Sequence, residues 1–152
     1  MRLTIAAIGR ARAGPERDLY EQYARRITWP LGLREVEEKR RLSPAELMTR
    51  EGELLRAACP QGATLVALDR RGKVLDSASF AKRLGTWRDD GVADLAFLIG
   101  GADGHTESLL KDCALSLSFG AMTWPHLLAR AMLAEQIYRA QQILASHPYH
   151  RE

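Results

Sequence analysis

Only two cysteines occur in the 152 residues, Cys59 and Cys113. They lie far apart without metal-ligand spacing, so reduced thiols are expected, not a disulfide framework. Cys113 falls in an apolar helical pattern and reads as a small core residue. The histidines His105, His126, His147 and His150 have neither cysteine partners nor helical i, i+4 spacing, which argues against zinc and predicts a protein without a metal site. Long apolar runs are missing, so no membrane span is expected. The run from Leu3 to Ile8 is too brief for a signal segment, and charge resumes at Arg10 and Arg12. The expected compartment is therefore the cytoplasm. Also absent are a Gly-x-Gly-x-x-Gly turn, a phosphate-binding P-loop and any spacing that argues for a Ser-His-Asp nucleophile. No repeat, low-complexity tract or linker interrupts the chain.

What remains suits one compact domain over residues 1–152, with 46% apolar and 27% charged residues. A net charge of +3 is mild, but cations cluster at Arg25-Arg26, Lys39-Arg40-Arg41 and Arg70-Arg71 with Lys73. Such clusters can hold phosphates; taken alone, they read more readily as solvated surface.

The apolar pattern alternates between strand and helix. Leu3 to Ile8, closed by Gly9, reads as a buried strand. Leu19, Tyr23 and Ile27 follow at helical spacing, and Leu33 to Val36 suggests a short edge strand. Ser43-Pro44-Ala45-Glu46 has the form of a capping box with proline at the first helical position. It opens a helix carrying Leu47, Leu54, Leu55 and Ala58 inward and ending before Pro60. Ala63 to Leu68 is the next strand, ended by Asp69-Arg70-Arg71-Gly72-Lys73. A helix after Ser77 buries Phe80, Leu84 and Trp87, with Gly91 placed to end it. Leu95 to Ile99 is a strongly apolar strand, and a short helix starts near Thr106 or Glu107. Leu115 to Phe119 alternates as a strand, and a long helix runs from about Pro125 or His126 to about Ala145. This order predicts an α/β fold, a mostly parallel sheet flanked by helices.

Four features can carry chemistry. In open α/β sheets ligands bind beyond the carboxyl ends of strands, where glycines admit a ligand to the backbone. Gly100-Gly101-Ala102-Asp103-Gly104 occupies such a place, although any sharp turn can use glycines. Phe119 to His126 offers backbone polar groups beside apolar and aromatic surface, which suits an adenine ring; a loop packed on the core would read the same. The long helix is apolar nearly all round, with Leu127, Ala131, Ala134 and Tyr138 on one stripe and Leu133, Ile137 and Leu144 on another. Such a helix is covered on more than one side, and a second subunit is a natural cover. The tail His147-Pro148-Tyr149-His150-Arg151-Glu152 carries groups that bind RNA or move protons, where a terminus would ordinarily only fray.

Leu95 to Gly104, Leu115 to Ser118, Met122-Thr123-Trp124-Pro125-His126, Glu135 to Ala140 and the tail occur together in this order and spacing. Together they resemble the ribosomal RNA large subunit methyltransferase H family of the SPOUT superfamily, over the whole chain and most specifically from Leu95 onward. Leu65 to Leu68 with Asp69-x-x-Gly72-Lys73 fits the same pattern. The resemblance implies a C-terminal deep trefoil knot and S-adenosylmethionine as cofactor. It also implies a homodimer that methylates N3 of a pseudouridine (position 1915, helix 69 loop) in 23S ribosomal RNA of the assembled 70S ribosome. Matched by position, the cofactor contacts fall on Leu68, Gly100, Phe119, Gly120, Ala121, Met122, Thr123 and Trp124. Phosphate-holding and catalytic roles fall on His126, Arg130, Tyr138, Arg139 and the tail, with His150 and Arg151 the catalytic candidates there. Two features depart from the family's pattern: Asp76 replaces a small polar residue, and Arg10 to Arg17 is richer in arginine and alanine. A basic RNA-binding module without catalysis is the alternative reading, and another small-molecule enzyme on a doubly wound sheet is a further one.

Overall fold

The computed structural model describes residues 1–146, and all statements of structure below concern those residues. Five strands form one sheet: β1 (Arg2–Ile8), β2 (Leu31–Val36), β3 (Thr64–Val74), β4 (Asp94–Ile99) and β5 (Leu115–Ser118). Their order is β2-β1-β4-β3-β5, and every pairing is parallel. Five helices alternate with them: α1 (Pro15–Ala24), α2 (Pro44–Ala58), α3 (Ser77–Asp89), α4 (Glu107–Asp112) and α5 (His126–Leu144).

The two-residue period of the strands sorts their side chains into two cores. Leu3, Ile5 and Ala7 of β1 and Leu95, Phe97 and Ile99 of β4 join the face covered by α1, α3 and α5. Ala6 and Leu98 point to the other face, against Leu55 of α2 and Leu109 of α4. Burial on both faces explains why β1 and β4 read as continuous apolar runs. The helix starts follow their local sequence. The Ser43 side chain accepts from the Glu46 N–H while the Glu46 carboxylate accepts from the Ser43 N–H. Asp76 caps α3 by accepting from the Ser79 N–H at 2.7 Å, so an aspartate serves there as a small polar residue would. Gly91, at φ +82°, ends the same helix.

Three expectations change. In α1, which ends at Ala24, Tyr20 is the buried residue and Leu19 is 38% exposed, while Ile27 is buried beyond the end of the helix. Strand β3 does not stop at Leu68. Residues 69–72 loop out, after which Lys73 pairs with Leu117, the same residue that pairs with Leu68. In α5, Ile137 is fully buried within its own chain, so helices α1 and α3 and the sheet already cover much of the apolar surface that suggested a second subunit.

Candidate functional site

Helix α3 leaves β3 on one face of the sheet and α4 leaves β4 on the other. Connections diverging in this way open a crevice at the carboxyl ends of the strands. A cleft of about 450 Å³ lies there, lined by Leu68 and Arg70 from β3, the Gly100–Gly104 turn after β4, and the segment after β5. It gathers Leu68, Gly100, Phe119, Gly120, Met122, Thr123, Trp124 and His126. Ala121 belongs to the same loop but faces solvent and does not line the cleft. The loop is not packed on the core: Met122 is 75% exposed and Trp124 39%. His126, the first residue of α5, is exposed at the cleft.

Two glycines leave little room where the walls meet. A Cβ on Gly100 would lie 3.0 Å from the His105 ring and 3.3 Å from the Gly104 backbone. A Cβ on Gly101 would lie 2.7 Å from both carboxylate oxygens of Glu51. Gly120, at φ +110°, turns the chain after β5, and its N–H donates to Ser118 Oγ at 3.1 Å. Asp69 and Arg71 lock the β3 loop by an ion pair, and Arg71 reaches on to Glu107 at 3.0 Å. Burial acts to raise the Asp69 carboxyl, but the Arg71 side chain and N–H outweigh it and hold it below the usual carboxylate range.

Two buried titratable groups brace the glycine turn, and neither stood out in the sequence. Glu51 of α2 is 6% exposed, and burial, with Asp103 adding to it, pushes its carboxyl up. Its position was legible, since it stands four residues from both Leu47 and Leu55 on the inward stripe. His105 is 3% exposed, with Nε2 3.2 Å from the Leu98 carbonyl. Burial lowers its pKa, against the opposing pull of that carbonyl and of Asp69.

The sign of the His105 shift gives a prediction. Between its lowered folded value and the ordinary histidine value of about 6.5, the unfolded chain holds a proton that the folded chain does not. Stability is therefore complete above that range and falls as pH drops through it. Glu51 acts in the opposite sense, because a raised carboxyl favours the folded state as pH falls. Urea midpoints measured between pH 7.5 and 5 should decline less in His105→Gln than in the wild type; parallel declines would show that His105 carries no linkage.

Arg130 is placed elsewhere. It is 2% exposed, and Nη1 donates to Glu35 at 2.7 Å while Nη2 donates to the carbonyls of Ile8 (3.1 Å) and Gly9 (2.8 Å). It lines a separate cavity of about 170 Å³ with Tyr20, Leu33 and Glu35, away from the cleft. Its geometry is that of a positioning residue joining α5 to the ends of β1 and β2. Arg139 pairs with Glu135 at 2.7 Å, one turn away on α5. The expected roles of His147, His150 and Arg151 lie outside the described residues. The two thiols are half-buried, and burial pushes Cys59 up to about 11 and Cys113 upward as well, which makes both poor nucleophiles. Among the described residues, no helix is long and apolar enough to cross a membrane, and no cluster of three metal-ligating side chains occurs.

Comparison with known proteins adds a family. The family model described as "Predicted SPOUT methyltransferase" matches residues 1–150. The ribosomal RNA large subunit methyltransferase H of Rhodospirillum centenum is 62% identical over 151 residues, covering 99% of both chains. The protein of the same name from Paramagnetospirillum magneticum is 58% identical over 151 residues, again covering 99% of each. Among solved structures, the SpoU methyltransferase AviRb from Streptomyces viridochromogenes, in complex with AdoMet, aligns with 18% identity and a TM-score of 0.48, covering 93% of this chain and 58% of that one.

Proposed function

The chain belongs to the SPOUT methyltransferase family, and from that premise we propose that it transfers a methyl group from S-adenosylmethionine to large-subunit ribosomal RNA. The target in this reading is N3 of pseudouridine 1915, in the helix 69 loop of 23S RNA within assembled 70S ribosomes. The whole chain acts as one methyltransferase domain in the cytoplasm, as a homodimer, with the C-terminal trefoil knot that the family likeness implies.

The observation that carries the reading is the cleft at the carboxyl ends of β3, β4 and β5. Its volume suits a nucleoside joined to an amino acid, and its walls combine apolar side chains with open backbone. Leu68, Gly100, Phe119, Gly120, Met122, Thr123 and Trp124 would hold the cofactor, with Ala121 completing the loop. S-adenosylmethionine supplies an electrophilic methyl group. The protein's own work is to bind the base in line and to take the N3 proton. His126 would take that proton, since it is exposed at the cleft and a neutral imidazole nitrogen can accept one. His147, His150 and Arg151 share this work in the proposal, the arginine as a forked donor to phosphate or carbonyl. Arg130 supports the site from behind. An apolar groove of about 600 Å³ between α1, α3 and α5, lined in part by Leu19, Val74 and Met132, supports the homodimer.

Calorimetric titration should show binding of S-adenosylmethionine and none of ATP or NAD. Ribosomes incubated with the full chain should gain label from methyl-labelled cofactor. Removing residues 147–152 should leave cofactor affinity and dimerisation nearly unchanged and abolish methyl transfer. A wild-type chain that binds ribosomes but not the cofactor would instead be a basic RNA-binding module. Near-normal turnover after truncation would remove the tail from the mechanism.

A further inference from the structure

The mild net charge conceals its distribution. The segments beyond the carboxyl ends of the strands, together with the loop inside β3, are residues 9–14, 37–43, 69–76, 100–106 and 119–125. They hold eight of the 22 lysines and arginines and five of the 19 acids. The rest of the chain, with fourteen cations against fourteen acids, has no positive excess. The surplus therefore sits entirely at the end of the sheet where the cleft opens.

Among the described residues only two of these cations are ion-paired, Arg40 with Glu38 and Arg71 with Asp69. Glu35 is held by Arg130, Glu38 by Arg40 and Arg50, and Asp69 by Arg71. Among the described residues Arg10, Arg12, Lys39, Arg41 and Arg70 make no direct ion pair, Arg10 acting on Glu35 only at longer range, and all five are exposed. Glu37, Asp76 and Asp103 are the exposed acids in these segments. The loops after β1 and β2 are joined, with the Gly9 N–H donating to Val36 O at 2.8 Å and the Ala11 N–H to Glu35 at 2.5 Å. This places Arg10 and Arg12 beside the 37–43 loop. Arg70 lines the cleft from the β3 side. The glycine turn after β4 lies between the two groups, because β4 separates β1 from β3.

We propose that these cations seat the backbone of a single-stranded RNA segment, with Arg10, Arg12, Lys39 and Arg41 on one side of the cleft and Arg70 on the other. The proposal rests on the RNA methyltransferase reading above and adds the path of the substrate. A base reaches a catalytic cleft only when it is out of its stack, so the flanking phosphates must be held while the base is not. Cations on both sides of the opening meet that need. The strand order sets the span: β2 to β3 is three strand spacings, about 14 Å, which a few nucleotides cover.

The test uses the full chain and purified 70S ribosomes. Arg10→Ala with Arg12→Ala, and separately Lys39→Ala with Arg41→Ala, should each raise KM for ribosomes on the order of ten-fold. The dependence of log KM on log salt should flatten by about 0.7 for each phosphate that is no longer held. Affinity for S-adenosylmethionine should stay at the wild-type value, and Arg10→Lys with Arg12→Lys should retain most of the ribosome affinity. Unchanged KM and salt slope in both alanine pairs, with an active wild type, would overturn this path and leave the methyltransferase reading standing. A wild type that neither binds the cofactor nor methylates ribosomes would overturn that reading and this proposal with it.

Discussion

Replacing Arg130 with alanine is expected to lower stability by about 3 kcal/mol, the lower end of the cost of breaking a buried ion pair. The lower end applies because the Glu35 side chain keeps 24% of its surface exposed and water can take over part of its solvation. The deletion leaves more than the Glu35 carboxylate unsupported. The Ile8 and Gly9 carbonyls lose their donor together, and α5 loses its tie to the ends of β1 and β2. Burial alone acts to raise the Glu35 carboxyl, but the Ala11 N–H and the Arg130 guanidinium outweigh it and hold it below the usual carboxylate range. A carboxyl depressed by folding adds stability that is present above its unfolded value and lost as pH falls through the folded one. The alanine variant should therefore lose part of the wild type's acid sensitivity as well as its urea midpoint. Lysine should rescue little, because one ammonium cannot span a carboxylate and two carbonyls as a planar fork does. If Arg130→Ala kept the wild-type midpoint and lost only methyl transfer, the residue would be catalytic and the structural account wrong.

Arg130 also shows where sequence reading reached its limit. The family resemblance implied a phosphate-holding or catalytic role for it, and an arginine's forked donors suit a phosphate or carbonyl. Its partners lie 95 to 122 residues away in the chain, and only the sheet order brings them together. Local features were legible because their causes are local. The Ser43 capping box, the glycine stop at Gly91 and the two-faced burial of β1 and β4 each follow from neighbouring residues. The residues lining the cleft were legible for a related reason: a glycine turn and a small-residue loop at strand ends lie beside one another in any parallel sheet that makes β4 and β5 near neighbours. Less accessible was the choice of face in α1, where Leu19 and Tyr20 both suit an inward stripe and packing against α5 selects the tyrosine. His105 carries no local mark of burial, because Asp103-Gly104-His105-Thr106-Glu107 reads as a polar turn, whereas Glu51 could be placed inward only by its spacing to Leu47 and Leu55. The return of β3 after Leu68 left no periodic signal either, since Asp69 to Lys73 is polar throughout and reads as an ordinary turn.

That return makes Gly72 the position where the smallest addition should do the most damage. A Cβ there would lie 2.5 Å from the Ser116 carbonyl oxygen, 2.6 Å from its carbon and 2.9 Å from the Leu117 nitrogen. All three are backbone atoms of β5, so no side chain can rotate away. Nor can β5 move aside easily, because Leu117 is paired with Leu68 before the loop and with Lys73 after it. Ser118 Oγ, within 3.0 Å of the Arg70 carbonyl, ties the loop to the same strand. Overpacking a site with room to relax costs about 1–3 kcal/mol; with backbone on both sides, Gly72→Ala should reach or exceed the top of that range. The damage should also reach the cleft, since Leu68, Arg70 and Phe119 all border it on elements that would have to part. Cofactor affinity should then fall at temperatures where the variant is still folded. Gly32→Ala is the matching control: its Cβ would meet nothing within 4 Å in β2, and the change should be neutral or slightly stabilising through the unfolded chain. Urea midpoints and cofactor titrations of the two variants decide the matter. Equal midpoints would mean that β3 does not return across β5 as the structure has it.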